Sequence, residues 1–429
     1  MIRIMLLLLG RDIIQHHWKK LFAIGLIWFI AGLAIFIDAI DGHTLIPSYA
    51  FGYFLLPEAV VSVIAAFGSY GTAKQMRLFQ GILLFIIAIL ILMSSYATNF
   101  ILAMIFGISF LIDGGVRIGS AIVVRYARWR TGIIAGLVEI VLAIFVLQPW
   151  PTWYEGTVGC NVGAVMMMAS VGVISIAVRI RRLKPGASIT SMFKGEQCLF
   201  NGAFEEETAQ TERGEVIVHV WTPTGNATTP LRQRAINRYI AAVDAQGVIS
   251  TGHAALEMQP DIYISHYPAV EIDRSPDEFG RILRATVDND VPGRFLSSYR
   301  EEADGWCEST VKVRLVGADV QKLRSYWKRY SQDTTYNLTN RNCSSSVAHA
   351  LDAAFEGGFR ERRWPLLSVL GAISYPELWA AGLMRQRAET MAWTPGLVLD
   401  YARALSALVN PPASTWRRLF RLKSAEINK

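Results

Sequence analysis

Six apolar runs crowd the first part of the chain, at about 21–40, 49–69, 79–96, 99–121, 132–150 and 158–180. Most approach the roughly 20 residues a helix needs to cross the hydrocarbon core of a bilayer. They fall into three pairs on a fixed period. GLIWFIAGLAIF from Gly25, GILLFIIAILIL from Gly81 and GLVEIVLAIFVL from Gly136 recur after 56 and 55 residues. In the second member of each pair, Gly52, Gly107 and Gly163 recur after 55 and 56. Two glycine sets on one period predict a threefold helix-hairpin repeat, and with it an all-α six-helix membrane bundle over residues 1–184. The opening MIRIMLLLLGRD has an apolar run too short for a signal-peptide core and no small-residue cleavage site, which predicts a short cytoplasmic or interfacial segment.

The pattern then changes period. Residues 185–213 read as a polar linker, with Glu205, Glu206 and Glu207 on its surface. EVIVHVWTP (215–223) alternates as a strand, and LRQRAINRYIAAVDAQ reads as an amphipathic helix ending at Gly247. Residues 248–258 and 261–270 are two strand-like runs around Gln259-Pro260-Asp261. A polar excursion, 271–310, contains a predicted turn at Pro292-Gly293 and would lie over the site. STVKVRLVG (309–317) is a further strand, and ADVQKLRSYWKRYS (318–331) a helix with Leu323, Tyr326 and Trp327 inward. Polar residues from Asn337 to Asn342 then lead into a helix with Val347, Leu351 and Phe355 on one face. Together these predict an α+β domain over 214–360, followed by an apolar helical extension, 361–429. Pro376, Glu377 and Pro395 interrupt that extension, favouring helices packed on the domain or lying in the membrane interface over a seventh span. The tail TWRRLFRLKSAEINK suits either anionic headgroups or a solvated terminus.

Composition agrees with a membrane class: 52% of the 429 residues are hydrophobic, and the mean hydropathy is +0.30. The net charge of +7 is unevenly placed, with 14 Lys/Arg against 7 Asp/Glu in residues 1–184 and 28 against 28 thereafter. Basic residues gather at the N-terminus, in the 70–78 and 122–131 loops and at 179–184, whereas the opposite loops carry only Asp41 and Glu155. The positive-inside rule therefore places both ends and the α+β domain in the cytoplasm, where thiols stay reduced. No basic patch interleaved with aromatics argues for nucleic acid. The partners expected are the lipid bilayer and a protein, peptide or lipid substrate at the cytoplasmic face, with oligomerisation left open. Of the ionisable residues inside the runs, Asp113 and Arg117 are four apart and suited to pair. Glu58 and Glu139 suit either buried, satisfied acids or a proton-linked role.

The chemistry centres on Cys343. It stands where the polar turn becomes a helix, and free amides and the helix dipole there favour a thiolate. Such a thiolate is the nucleophile of cysteine hydrolases and transferases. The competing explanation is a buried small hydrophobe near a helix start. The four cysteines, Cys160, Cys198, Cys307 and Cys343, show no metal or disulfide spacing, so no metal or cofactor is expected. Two histidines, His253 and His266, lie on the arms of the hairpin. If the turn is Gln259-Pro260 they face each other, and if it is Pro260-Asp261 they lie diagonally on one face. An odd register, through a bulge or a three-residue loop, would separate them. On one face, one imidazole would serve as base to the thiol while the other orients it. His219 reads as a strand-face residue, and His349, six residues past Cys343, points away from it.

Two resemblances follow. The three Gly-rich helix pairs, with Trp18 and Trp28, resemble the HdeD family of bacterial acid-resistance membrane proteins over roughly residues 15–185. That implies a role in stress tolerance at the bacterial inner membrane. Gly252-His253-Ala254-Ala255-Leu256 on a strand, His266, Tyr336 and Asn342-Cys343 at a helix start resemble the circularly permuted NlpC-type papain-like superfamily. Its members include lecithin retinol acyltransferase-like and other membrane-associated thiol hydrolases, and the match spans about 215–357. It implies Cys343 as nucleophile, His253 as its base and His266 as orienter, with Tyr263 or Ser265 as substitutes for His266, and the Cys343 amide as an oxyanion donor. The expected function is a membrane-anchored cytoplasmic thiol hydrolase: a peptidase, an amidase, or a lipid acyl hydrolase or transferase. The alternatives are a non-catalytic stress-response protein with a binding papain-like domain, and a small proton-linked transporter using Glu58 and Glu139.

Overall fold

A computed structural model describes residues 1–41, 46–67, 71–93, 95–183, 188–189, 212–221, 242–243, 249–250, 252–270, 272, 279–360, 364–373 and 375–410. The predicted linker (almost entirely), the helix at 231–246 apart from Ala242 and Val243, Cys198 and the basic tail lie outside these residues; Ala242 and Val243 pair as a strand with Ser250 and Ile249 where a helix was expected. The chain forms two compact units. One contains Gln15–Gly119 and Arg130–Arg182; the other contains Met1–Ile14, Ser120–Trp129 and Leu183–Pro411.

Two short helices, α1 (Ile2–Leu9) and α2 (Arg11–His16), open the chain. The helical region follows as α3 (Trp18–Asp38), α4 (Tyr49–Phe67), α5 (Gly71–Met93), α6 (Tyr96–Val124), α7 (Trp129–Leu147) and α8 (Thr157–Arg181). Among the described residues α3, α6, α7 and α8 are long and apolar enough to cross a membrane, while α4 and α5 carry shorter apolar stretches, Tyr49–Ile64 and Arg77–Met93.

In lipid the hydrophobic effect does not drive helices together, so close packing of small residues must. The repeat glycines supply it. A Cβ on Gly25 would lie 2.8 Å from Ile174, one on Gly81 2.6 Å from Val63, and one on Gly136 2.7 Å from Ile118. The three partners, Val63, Ile118 and Ile174, are themselves 55 and 56 residues apart. In the second set, Gly52 abuts Leu92, Gly107 abuts Leu147, and Gly163 abuts Phe36 and the Gly32 carbonyl. Phe36, Leu92 and Leu147 keep the same period. The tight crossings therefore run α8–α3, α4–α5 and α6–α7. Each joins one sequence repeat to the next, and the third repeat returns to the first.

One crossing carries charge. Glu139 of α7, 3% exposed, accepts along one edge of the Arg117 guanidinium of α6, from Nε at 3.0 Å and Nη2 at 2.8 Å. Arg117 also reaches Asp113 at 2.9 Å, as their spacing predicts. The nearby Gly114–Gly136 contact brings the two helices close enough for this. Glu58, next to Pro57 inside α4, is exposed.

The second unit is a helix-plus-sheet structure. Its elements are β1 (Arg213–Trp221), β2 (Ala242–Val243), β3 (Ile249–Ser250), β4 (His253–Met258), β5 (Ile262–Ile264), β6 (His266–Pro268), α9 (Phe279–Ile282), β7 (Val291–Phe295), α10 (Tyr299–Gly305), β8 (Val311–Asp319), α11 (Val320–Tyr330), β9 (Thr335–Tyr336) and α12 (Cys343–Phe355). Three helices follow: α13 (Pro365–Ala372), α14 (Pro376–Thr390) and α15 (Pro395–Val409). An antiparallel sheet runs β5-β4-β1-β8, a second runs β6-β7-β9, and β2 pairs with β3. Alternation on β1 sends Val216, Val218 and Val220 to the face covered by α12 and α15. His219 and Trp221 go to the other face, where Tyr299 of α10 covers them.

The prolines that break the C-terminal apolar run each begin a helix, where a missing N–H costs nothing. The resulting α15 buries Leu397, Val398, Leu399, Tyr401, Leu405 and Leu408 in the core. The N-terminal residues join this unit too. Ile4, Leu6, Leu7, Leu8 and Leu9 are buried, and the Leu7 and Leu8 carbonyls accept from the Gly357 and Phe359 amides at 2.8 Å. The apolar character of MIRIMLLLLGRD thus reflects core packing.

One turn expectation differs from the structure, and the hairpin takes one of the loop lengths left open. Pro292-Gly293 lies within strand β7, because a Cβ on Gly293 would sit 2.6 Å from His266 Nε2 and the backbone must pass close there. The hairpin uses a three-residue loop, Gln259-Pro260-Asp261, with Met258 opposite Ile262.

The glycine crossings can be tested by heating the purified chain in detergent. Gly163→Ala drives a methyl into the Gly32 carbonyl, 2.6 Å away, and should destabilise by about 1–3 kcal/mol. Gly115→Ala, with nothing within 4 Å of the new Cβ, should leave Tm unchanged or slightly raised.

Candidate active site

Cys343 is the first residue of α12, and its position is fixed by a capping box. Asn342 accepts from the Ser345 amide at 2.7 Å, and Ser345 Oγ accepts from the Asn342 amide at 2.8 Å. Asn342 Nδ2 donates to the carbonyls of Leu338 and Trp393, tying the helix start to the turn before it and to the segment preceding α15. The thiol is buried, with Ser344 Oγ 3.7 Å from Sγ.

His253 begins β4, preceded by Gly252 in the left-handed region at φ 70°. Its ring, 3% exposed, lies in hydrogen-bonding contact with the Cys343 thiol. Nε2 is occupied elsewhere, 2.9 Å from Ser265 Oγ and 3.2 Å from Glu302 Oε1, which leaves Nδ1 for sulfur. Tyr267 stacks on the imidazole at 4.0 Å, and Trp221 packs against it at 5.5 Å. Glu302, from α10, is 2% exposed and is held by the phenols of Tyr263 (2.5 Å) and Tyr267 (2.6 Å).

The electrostatics follow from these contacts. Burial by itself pushes the Cys343 thiol up, but the adjacent His253 imidazolium reverses this. With hydrogen bonds from Ser344 and the Ala254 amide, it holds the thiol below its ordinary value. Burial likewise pushes His253 down, and the Cys343 sulfur together with Glu302 holds it above the usual histidine range. The arrangement favours a thiolate–imidazolium pair between the two shifted values. The Tyr263 and Tyr267 phenols are pushed up by burial and by Glu302, so they remain donors.

Of the three residues expected at the site, the structure brings Cys343 and His253 together and places His266 elsewhere. With a three-residue loop, Leu256 faces Ile264, so the hairpin has the odd register that separates the histidines. The second arm also breaks at Ser265, where the chain passes from the first sheet to the second. Ser265 therefore turns to His253. His266 instead accepts from Tyr330 OH at 3.0 Å and donates to the Thr334 carbonyl at 3.3 Å. Burial drives its pKa down to about 4, so it stays neutral. His219 is committed to Glu257 and Ser309 and stacked on Tyr299. Cys307 is exposed, and Cys160 is buried in α8.

Sequence reasoning missed Glu302. Its signal was local: Ser298-x-x-Glu301 is a helix-start pattern, and Ser298 does accept from the Glu301 amide. Nothing in the pattern indicated that this short helix would fold back over the sheet. No cluster of three His, Cys, Asp or Glu side chains suited to a metal occurs among the described residues. No protein-family model, curated protein or solved structure matches the chain.

Two substitutions separate the roles. Glu302→Gln removes the charge that favours the imidazolium, so the pH profile of Cys343 alkylation, followed by peptide mass spectrometry, should move to higher pH by about one unit. His266→Ala should leave that profile in place while lowering stability by about 1–3 kcal/mol, because it removes the buried hydrogen bonds to Tyr330 OH and the Thr334 carbonyl.

Proposed function

We propose that the chain is a membrane-anchored thiol hydrolase or acyltransferase. The observation that carries this is a buried Cys343 thiol on a capped helix N-terminus in contact with a buried His253 imidazole. Both groups are shifted toward the charged forms that nucleophilic catalysis requires. Their order, with histidine on a strand and cysteine at a later helix start, supports the permuted NlpC-type papain-like reading.

In this reading the Cys343 thiolate attacks the carbonyl carbon of an amide or ester. The Cys343 amide, which the capping box leaves unengaged, donates to the developing oxyanion. The His253 Nδ1 proton passes to the leaving amine or alcohol, giving a thioester on Cys343. His253 then takes a proton from water, or from an acceptor nucleophile, as the thioester is cleaved. Glu302 and Ser265 hold the ring with Nδ1 toward sulfur. Ser265, one of the substitutes named for His266, is at hydrogen-bond distance, and Glu302 adds the negative charge.

The apolar helices with their periodic glycine crossings support a six-span, HdeD-like bundle at the bacterial inner membrane, with both termini and the thiol domain cytoplasmic and a role in envelope or acid stress. For a proton-linked transporter Glu139 would have to be free to titrate; its bidentate contact with Arg117 favours a structural role instead.

The test is alkylation of the full-length chain by iodoacetamide across pH 5–9, read at Cys343 by mass spectrometry. The rate should already be high at pH 6–6.5, and it should fall about 10- to 100-fold in His253→Ala as the thiol returns toward its unperturbed value near 8.5. On the alkaline side, turnover should fall as pH rises through the raised His253 value, because the leaving group then lacks its proton donor. A Cys343 that reacts like an ordinary thiol, indifferent to His253, would leave only a binding domain.

A further inference from the structure

The second unit presents an apolar face that its own core does not use. On α13 and just before it, Trp364 and Leu367 are 61% and 60% exposed. On and before α14, Tyr375, Trp379 and Leu383 are 42%, 45% and 63% exposed. Tyr375, Trp379 and Leu383 recur every four residues, so they form one stripe along the helix, and the exposed Arg387 continues it. The opposite face of α14 buries Leu378, Ala381, Arg385 and Ala388.

We propose that this α13–α14 face docks on the lipid bilayer. Three observations select lipid as the occupant. The stripe mixes tryptophan and tyrosine with leucine and ends in arginine, the composition of a segment seated at the headgroup level. Cations also adjoin it in sequence: Arg362 and Arg363 follow a single acid, Glu361, just before Trp364, and Arg360, which pairs with Asp12, precedes them. The third is connectivity. Helix α1 packs against both α13 and α14, and Arg3 pairs with Glu389 of α14. Only eight residues separate Leu9, the end of α1, from Trp18, the start of the first apolar helix. A face built on α1 is therefore held within a short chain length, about 30 Å at full extension, of a membrane-crossing segment.

The docked face leads to the site. Helix α14 ends at Thr390, Met391 is exposed, and Trp393 supplies the carbonyl bonded by Asn342, the cap of the nucleophile helix. Docking does not depend on the thiol chemistry and can be tested without it.

The experiment uses the full chain carrying Cys198→Ser, Cys307→Ser and Cys343→Ala, reconstituted in vesicles of phosphatidylcholine and phosphatidylglycerol. A nitroxide is placed in turn through Leu367→Cys, Leu383→Cys and Val316→Cys, the last a control on β8 that is 57% exposed. Collisions with oxygen, which concentrates in lipid, are compared with collisions with a water-soluble nickel chelate. For Leu367 and Leu383 the oxygen-to-nickel ratio should be several-fold higher than for Val316, and it should drop toward the control value when the chain is moved to a detergent lacking anionic headgroups. Labels as open to nickel as Val316 would overturn the proposal. So would labels shielded from both reagents in proportion to protein density, which would identify a second copy as the occupant.

Discussion

The structure is governed by the cost of burying charge. Cys343, His253 and Glu302 lie together at exposures of 7%, 3% and 2%, and an ion removed from water without partners is unfavourable by several kcal/mol. Each therefore needs its own donors or counter-charge. The thiol has the Ala254 amide and Ser344, the imidazole has Ser265 and Glu302, and the carboxylate has two phenols. Those partners come from β4, β5, the break after it, β6, α10 and α12, and this explains why elements so far apart in sequence converge. Tyr267 serves twice, donating to Glu302 and stacking on His253.

The same rule operates at the far end of the nucleophile helix. Asp352, fully buried on α12, accepts from Arg385 of α14 and from Tyr401 of α15, both at 2.6 Å. Arg385 also bonds Glu389, and Glu389 bonds Arg3 of α1. A chain of alternating charges thus links the helix bearing Cys343 to three other helices. Removing either member of the buried Asp352–Arg385 pair would leave a buried charge without its partner, which is strongly unfavourable.

Periodicity and helix-start chemistry were legible in the sequence because they are local. The 55- and 56-residue glycine recurrences mark positions where backbones meet, and each has a partner on the same period. Asn342-Cys343 before an apolar face likewise announced a capped helix carrying a thiol. What was not legible depends on a single added residue or on distant packing. The loop could hold two residues or three, and that choice moved His266 away from His253 and put Ser265 in its place. Glu302 gained its meaning only when α10 folded over the sheet. The opening leucines read as an isolated apolar run because their partners, Gly357 and Phe359, lie some 350 residues away.

That last contact bears on where the thiol domain begins. A cut at the apparent linker near residue 185 would remove α1, expose the core surface left by Ile4 and Leu6–Leu9, and remove the bonds that the Gly357 and Phe359 amides make to Leu7 and Leu8. It would also leave Glu389 without Arg3 and Arg360 without Asp12. The domain is therefore assembled from both ends of the chain, with the helical region inserted between them. Packing that begins at the first residues of the chain, in α1, continues through α14 to the Trp393 carbonyl bonded by Asn342, the cap of the Cys343 helix.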